Sequence, residues 1–226
     1  MTDSFYCAIL YLERIGLTDL GGICLDSFFS LRAEKQEHII NAALTVFGRN
    51  GYRKASIADI AGEAGIAKGM VMYYFGSKKN LYLYLAGLCR KLVLDDIGQR
   101  LDPGVTDFFD KIRMMTEMKM AMMKRHPAIF SFLTSLYYET DGEVADELRE
   151  FMAENMVSRE RILLEGVDTS RFKDDVDPKL LDKFFTWASE GMANDLLINK
   201  NMELVEGFAA DFYALLDLMK KHLCRA

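Results

Sequence analysis

The stretch GIAKGMVMYYFGSKKN, residues 65–80, sets an apolar and aromatic run of six residues between one lysine and a pair of lysines. An apolar run of this length is typical of a buried strand, but its borders favour a helix. Gly65 and Gly76 bracket the run, and glycine is common where a helix ends. Val71 and Phe75 stand four residues apart, so a helix would anchor both to a core and turn the residues between them outwards.

The residues before this stretch predict two further helices. An apolar stripe begins after Arg32 and stops at Asn50-Gly51, where glycine can take the left-handed conformation that ends a helix. Ser56 opens the next helix, with Asp59 at the spacing of a capping box. A helix, a short helix, a glycine-containing turn and a second short helix form the layout of a helix-turn-helix. In that motif the last helix enters the DNA major groove, where base edges are readable.

The chain after the stretch also predicts helices. Ser77 caps a fourth helix, which ends at the Asp102-Pro103-Gly104 break. Pro127 and Pro178 stand where helices would start, a position at which no amide donor is needed. No segment alternates between apolar and polar residues as a half-buried strand does, which favours an all-α fold. Five longer helices are expected, at about residues 106–125, 127–139, 142–166, 178–199 and 203–223.

Charge is unevenly distributed along the chain. The 226 residues carry a net charge of −6, which argues against non-specific coating of nucleic acid. Residues 32–80, however, carry eight Lys or Arg against four Asp or Glu, while the remainder carries 20 against 30. The sequence therefore places a basic segment on an acidic body.

Several classes of protein are disfavoured by the composition. The four cysteines are scattered without a CxxC pair, so neither a zinc site nor a disulfide framework is expected, and no metal or cofactor is predicted. No catalytic pairing of acids, Ser-His-Asp arrangement or phosphate-binding glycine loop is found, which argues against an enzyme. No apolar run is long enough to span a membrane, and the N-terminus lacks the basic region of a signal peptide. A cytoplasmic protein is expected.

The segment SIADIAGEAGIAKGMVMYYFGSKKNLY resembles the signature of TetR-type transcriptional regulators, and the resemblance extends over residues 32–85. Its ending, Phe75-Gly76-Ser77-Lys78, is especially specific. The resemblance implies an all-α protein with an N-terminal three-helix helix-turn-helix DNA-binding domain at 32–78 and a larger helical ligand-binding and dimerisation domain at 79–226. Residues 1–31 carry no motif, and are either a genuine extension of unknown role or a stretch included by a misplaced start.

The resemblance also assigns roles at the DNA. Ser56 and Lys78 would contact backbone phosphates, and Tyr74 would lie against the backbone. The residues that would face or approach the bases are Lys68, Gly69, Met72 and Tyr73. Met72 stands where the family very often has tyrosine, which removes a hydrogen bond and alters operator preference. Taken singly, these residues are more typical of a solvated surface or a core; together, at this spacing, they favour binding to a double-stranded DNA operator.

A homodimer through the last two helices, 178–199 and 203–223, is implied as well. A dimer sets two recognition helices about 34–36 Å apart, one turn of DNA. The last helix carries an apolar stripe: Leu204, Phe208, Phe212, Leu215, Met219 and Leu223. The preceding helix, which includes Phe184, Phe185 and Trp187, has an apolar surface wider than one core-facing stripe needs. The alternative is a fully buried helix in a monomer.

A methionine- and aromatic-rich region lies between these parts. The resemblance implies a pocket there for a small-molecule effector, whose entry would release a repressor from a palindromic operator. The candidate lining residues are Met115, Met118, Met122, Phe130, Tyr137, Met156 and Trp187. Plain core packing is the alternative for each of them. For the whole protein, the alternative is a helical interaction protein of the same fold without specific DNA reading.

Overall fold

The computed structural model of the protein describes residues 25–199 and 203–225. The helices in this part of the chain are α1 (Asp26–Phe29), α2 (Ala33–Lys54), α3 (Ile57–Glu63), α4 (Lys68–Phe75), α5 (Lys78–Arg100), α6 (Phe108–Arg125), α7 (Pro127–Tyr137), α8 (Ala145–Leu164), a 3₁₀ helix (Thr169–Arg171), α9 (Pro178–Asn199) and α10 (Glu203–Leu223). Among these residues, β-pairing is limited to one isolated bridge between Phe172 and Cys224. The all-α prediction is confirmed, and no helix described here is long and apolar enough to cross a membrane.

Several helix boundaries lie where the capping signals predicted them. Gly51 has a φ of +68° and interrupts α2 near its end. Ser56 and Asp59 form a reciprocal capping box on α3, in which Ser56 Oγ accepts the Asp59 amide at 3.1 Å and the Asp59 carboxylate accepts the Ser56 amide at 3.2 Å. Ser77 Oγ accepts the Asn80 amide at 3.0 Å at the start of α5. These signals were readable because a cap involves residues that are close in sequence.

The described chain forms two compact units. The N-terminal unit contains residues 25–98 and 122–151, and the C-terminal unit contains the described parts of 99–121 and 152–226. This division differs from the expected one at residue 78, because most of α5 and all of α7 belong with the helix-turn-helix. A hydrophobic stripe shows that a helix is buried but does not identify the surface that covers it.

Aromatic rings fill the core of the N-terminal unit. The large buried rings include Phe28, Phe47, Tyr52, Phe75, Tyr82 and Phe132. Phe47 of α2 contacts Tyr82 of α5 edge to face, with ring centroids 4.9 Å apart. Phe132 of α7 reaches the same ring, with centroids 5.3 Å apart. These contacts join α2, α5 and α7 into one packed core.

Helices α2 and α7 approach each other closely at Gly48. Ser131 Oγ donates a hydrogen bond to the Gly48 carbonyl oxygen at 3.1 Å. A Cβ atom built on Gly48 would lie 2.8 Å from Ser131 Oγ and 3.0 Å from the backbone nitrogen of Phe132. The absence of a side chain at Gly48 therefore permits this helix crossing.

The C-terminal unit has its own apolar core. Its buried members are Phe108, Phe109, Ile112, Leu163, Phe172, Phe185, Phe212 and Leu216. Phe185 of α9 and Phe212 of α10 were expected to form part of a dimer interface, but their ring centroids lie 5.7 Å apart within one chain. Both rings pack α9 against α10 within the chain, and a homodimer through these helices stays a prediction.

Candidate nucleic-acid interface

Helix α4 is seated on the core of the N-terminal unit by three side chains. Val71 and Phe75 are fully buried, and Tyr74 is 2% exposed. The Phe75 ring lies 4.9 Å from that of Phe28 and 5.6 Å from that of Tyr84, measured between centroids. The prediction that Val71 and Phe75 anchor this helix is confirmed.

The opposite side of α4 is open to solvent. Lys68 and Gly69 are exposed at its N-terminus, and a Cβ built on Gly69 would have no neighbouring atom within 4 Å. Met72 and Tyr73 are 40% and 63% exposed. The structure thus brings the four residues expected to face the bases, Lys68, Gly69, Met72 and Tyr73, onto one surface, here termed the recognition face. Met70, which the sequence did not single out, is 37% exposed on the same helix.

Ser56 lies at the start of α3, where its hydroxyl is already engaged. It accepts the Asp59 amide at 3.1 Å and donates to the Asp59 carboxylate at 2.7 Å. Its capping role is confirmed, and a phosphate contact by the same hydroxyl stays a prediction. Arg53 and Lys54, at the end of α2, are exposed and bring positive charge close to this helix start in sequence.

Lys78 contacts the end of α2 in the DNA-free chain. Its Nζ donates to the backbone carbonyl of Tyr52 at 3.0 Å and to that of Ala55 at 3.3 Å, and it lies 4.1 Å from the centroid of the Tyr52 ring. Burial, reinforced by Glu143, raises the pKa of the Tyr52 phenol, so the ring stays neutral. The ammonium group satisfies carbonyls at the end of α2, where intrahelical donors run out. These contacts are with the protein itself, and a phosphate contact by Lys78 stays a prediction.

Tyr74 departs from its expected position. Its side chain was expected to lie against the DNA backbone, but it is buried, and its ring packs edge-on against Phe28 with centroids 5.8 Å apart. Tyr74 lies three residues after Val71, which puts both on the buried side of α4. The expectation that every residue between Val71 and Phe75 turns outwards overlooked this spacing.

The residues expected to line an effector pocket are divided between the two units. Met115, Met118, Met156 and Trp187 lie in the C-terminal unit, and Met122, Phe130 and Tyr137 lie in the N-terminal unit. Three of the seven are well exposed: Tyr137 at 52%, Met156 at 49% and Trp187 at 59%. A groove of about 400 Å³ in the C-terminal unit is lined by different residues, Val157, Glu160, Arg161, Leu164, Glu165 and Lys179. The pocket assignment stays a prediction.

Metal binding and a nucleophilic thiol have little support in the described part of the chain. No three His, Cys, Asp or Glu side chains within it converge on a site that could hold a metal ion. Burial raises the pKa of the Cys89 thiol, which keeps it protonated and makes it a core residue rather than a nucleophile.

The helix-turn-helix and much of the remaining chain are similar in sequence to known proteins. Residues 39–85 match the family model described as bacterial regulatory proteins, tetR family. The fatty acid metabolism regulator protein of Bacillus subtilis (strain 168) is 22% identical over 185 residues, which cover 75% of this chain and 92% of that protein. The sequence similarity therefore extends beyond the helix-turn-helix.

Solved structures share the fold. A TetR family transcriptional regulator from Chloroflexus aurantiacus J-10-FL has a TM-score of 0.66 at 22% identity, covering 91% of this chain and 100% of that chain. The transcriptional regulator FadR of Bacillus subtilis, in complex with stearoyl-CoA, has a TM-score of 0.63 at 18% identity, covering 80% and 96%. At these identities the structures show the fold alone. With the matched motif and the curated relative in agreement with this fold, the chain belongs to the TetR family of transcriptional regulators.

Proposed function

We propose that the protein is a ligand-responsive repressor that acts in the cytoplasm as a homodimer on a palindromic operator. A small, largely apolar molecule would release it from the DNA. The observation that carries the proposal is the recognition face, where Met72 and Tyr73 are exposed on a helix anchored from its other side. Large side chains held outwards in this way are suited to contacts with base edges in a major groove.

Positive charge near this face supports DNA as the partner. Lys68 lies at the first position of α4, and Arg53 and Lys54 precede α3, all three exposed. Each lysine or arginine that neutralises a phosphate releases counterions, which makes binding depend on salt. The acidic remainder of the chain disfavours binding to DNA elsewhere on its surface.

A dimer is supported by apolar side chains left in water on α9 and α10. Leu180, Phe184 and Trp187 stand at i, i+4 and i+7, on one side of α9, and are 59%, 40% and 59% exposed. Leu218 of α10 is 55% exposed. These four residues are termed the apolar face. A second copy of the chain is the proposed partner, because a two-fold dimer presents one recognition helix to each half of a palindrome. Trp187 fits this interface better than a pocket.

The proposed effector is a long-chain fatty acid or its coenzyme A thioester. The Bacillus subtilis relative is named a fatty acid metabolism regulator protein, and the related FadR structure contains stearoyl-CoA. Helix α6 is rich in a residue that adapts to varied apolar ligands: Met114, Met115, Met118, Met120, Met122 and Met123. A ligand releases the operator only if it binds the DNA-free state more tightly than the DNA-bound state.

Electrophoretic mobility shift on DNA flanking the gene, across salt concentrations, tests the DNA-binding function. We expect affinity to fall with rising salt, and Lys68→Ala to reduce the magnitude of the salt slope by about one if it loses one phosphate contact. The matched control, Lys221→Ala, removes an exposed lysine near the end of α10 and should bind as the wild type does. Absent or salt-insensitive binding to every nearby promoter would overturn the proposal and favour a helical interaction protein.

The effector is tested separately with stearoyl-CoA, and with coenzyme A alone as the control. We expect stearoyl-CoA to release bound DNA and to stabilise the DNA-free protein against thermal unfolding, by about 2.7 kcal/mol at a concentration 100 times Kd. Coenzyme A alone should do neither, because it lacks the acyl chain. If stearoyl-CoA and stearate, the corresponding free fatty acid, both have no effect while DNA binding persists, the proposed effector class is wrong and the DNA-binding function stands.

A further inference from the structure

We propose that Ser27, in the short helix that precedes the helix-turn-helix, is a positioning residue that holds Tyr73 ready for DNA. The hydroxyl groups of Ser27 and Tyr73 are hydrogen-bonded at 2.9 Å, although the residues are 46 positions apart in sequence. The inference rests on the proposed function, since it takes Tyr73 to contact DNA. It assigns a role to the end of an N-terminal segment that carries no recognisable motif.

Ser27 occupies a defined position because α1 is anchored on the core. Phe28, the next residue, is fully buried. Its ring lies 5.8 Å from that of Tyr74 and 4.9 Å from that of Phe75, measured between centroids. Helix α1 is thus packed against the two residues that follow Tyr73 in α4, and its serine faces the tyrosine that packing leaves outside.

Polar contacts fix the chain at the end of α1. Gln36 of α2 is buried, and its Nε2 donates to the backbone carbonyls of Phe29 at 3.0 Å and Leu31 at 2.8 Å. Ser30 Oγ donates to the Ser27 carbonyl at 2.8 Å. These bonds hold the backbone that carries Ser27, while the Ser27 hydroxyl reaches the neighbouring recognition helix.

Tyr73 is the residue of the recognition face with the most to gain from such a restraint. It is 63% exposed, so packing alone leaves its ring several rotamers. A side chain already held in its bound rotamer avoids an ordering cost on binding, which corresponds to about twofold to tenfold in Kd. If Ser27 donates the bond, the Tyr73 hydroxyl proton remains available for a phosphate or a base acceptor.

The test measures affinity for the double-stranded sequence that the wild-type protein enriches from a randomised library. We expect Ser27→Ala to weaken binding about twofold to tenfold and Ser27→Thr, which keeps the hydroxyl, to restore most of the affinity. In a Tyr73→Phe background, Ser27→Ala should have no further effect, because the bond is already gone. The matched control is Thr140→Ala, which removes an exposed hydroxyl outside α1 and α4 and should bind nearly as the wild type does.

The affinity results separate this inference from the proposed function. Wild-type affinity for Ser27→Ala, or an equal loss in the Tyr73→Phe background, overturns the positioning role. If Lys68→Ala and Tyr73→Ala both bind as the wild type does, the DNA contacts of the recognition face are wrong, whatever Ser27 does.

A measurement without DNA tests directly whether the Ser27 hydrogen bond restrains the Tyr73 side chain. NMR of selectively labelled tyrosine reports the χ1 rotamers of Tyr73, with buried Tyr74 as the internal control. We expect one dominant Tyr73 rotamer in the wild type and rotamer averaging in Ser27→Ala, with Tyr74 unchanged. Averaging in the wild type, or a single rotamer in both proteins, overturns the proposal even if no DNA sequence is enriched.

Discussion

Lys78 and Lys79 are neighbours in sequence, but their ammonium groups have different surroundings. That of Lys78 bonds two backbone carbonyls at the end of α2, whereas that of Lys79 pairs with Glu147 at 2.6 Å between side chains that are 31% and 42% exposed. A surface ion pair contributes about 0–1 kcal/mol. Satisfying open carbonyls at a helix end and covering the Tyr52 ring is worth more.

We therefore predict that Lys78→Met lowers the free energy of unfolding by about 1–2 kcal/mol, since it removes two charge-assisted hydrogen bonds that are partly exposed. Lys79→Met, the matched control, should cost less than about 1 kcal/mol. Methionine keeps most of the aliphatic stem in both variants, so the comparison isolates the charged group. Urea denaturation of the two proteins measures the difference. Equal losses would mean that the Lys78 contacts contribute no more than an ordinary surface pair.

Met72 is the recognition-face residue most suited to altering operator choice. Its side chain is 40% exposed and carries no hydrogen-bond donor, so it contributes contact area but no polar base readout. We predict that Met72→Tyr changes the base preferred at one or two positions of each half-site, by about 1–3 kcal/mol per position. Selection from a randomised DNA library measures the preference. Met156→Tyr, at a 49% exposed position of α8, is the control and should select the wild-type sequence.

At the scale of elements, a side chain at Gly48 would have two opposing effects on stability, because α2 and α7 approach each other closely there. Alanine favours a helix interior over glycine by about 1 kcal/mol. A Cβ at Gly48, however, would lie 3.0 Å from the Phe132 backbone nitrogen, and such overpacking costs about 1–3 kcal/mol in a core. Because backbone moves less readily than a side-chain tip, we expect the clash to outweigh the gain in helix propensity.

Accordingly, we predict that Gly48→Ala destabilises the protein by up to about 2 kcal/mol net. Gly87→Ala, in the interior of α5, is the matched control: its Cβ would meet no atom within 4 Å, so it should stabilise by up to about 1 kcal/mol. Thermal unfolding of both variants measures whether each substitution stabilises or destabilises the protein. A stabilised Gly48→Ala protein would show that α7 can shift away from α2 at little cost.

How much of each element was predictable depends on the distance in sequence over which its cause acts. The Ser56–Asp59 capping box and the turn at Gly51 are local, and the sequence predicts them. The start of α9 at Pro178 likewise follows from one proline. The assignment of α7 to the N-terminal unit depends on contacts such as the hydrogen bond from Ser131 to Gly48, 83 residues away, and no local pattern indicates it.

How far the candidate site could be predicted depends on distance in sequence in the same way. Exposure of Lys68, Gly69, Met72 and Tyr73 follows from helical geometry once Val71 and Phe75 are taken as anchors, so the recognition face was predictable. The carbonyl partners of Lys78 and the Ser27–Tyr73 hydrogen bond join segments far apart in the chain, and a single sequence gives no measure of such proximity. The burial of Tyr74 is different, because its i, i+3 spacing from Val71 already places both side chains on one face of α4.

At the scale of the whole molecule, the main feature is the apolar face. A single chain exposes the side chains of Leu180, Phe184, Trp187 and Leu218 to water. Exposed apolar patches of this kind mark interaction sites. Two copies joined there would double the number of recognition faces on one operator, which raises both affinity and specificity through simultaneous engagement. Dimerisation and DNA binding are therefore expected to fail together.

We predict that Trp187→Glu separates the dimer, because a charge replaces the largest side chain of the apolar face. Truncating an interface tryptophan commonly costs about 2 kcal/mol or more, roughly a thirtyfold change in the dimer Kd, and the buried carboxylate adds to that cost. Val157→Glu makes the same kind of change at a 70% exposed position of α8 and should leave the dimer intact. Analytical ultracentrifugation at micromolar concentration measures the oligomeric state, and circular dichroism confirms that both variants are folded. A folded Trp187→Glu protein that remains dimeric would place the interface elsewhere, whereas a folded monomer that has also lost operator affinity would tie dimerisation to DNA binding.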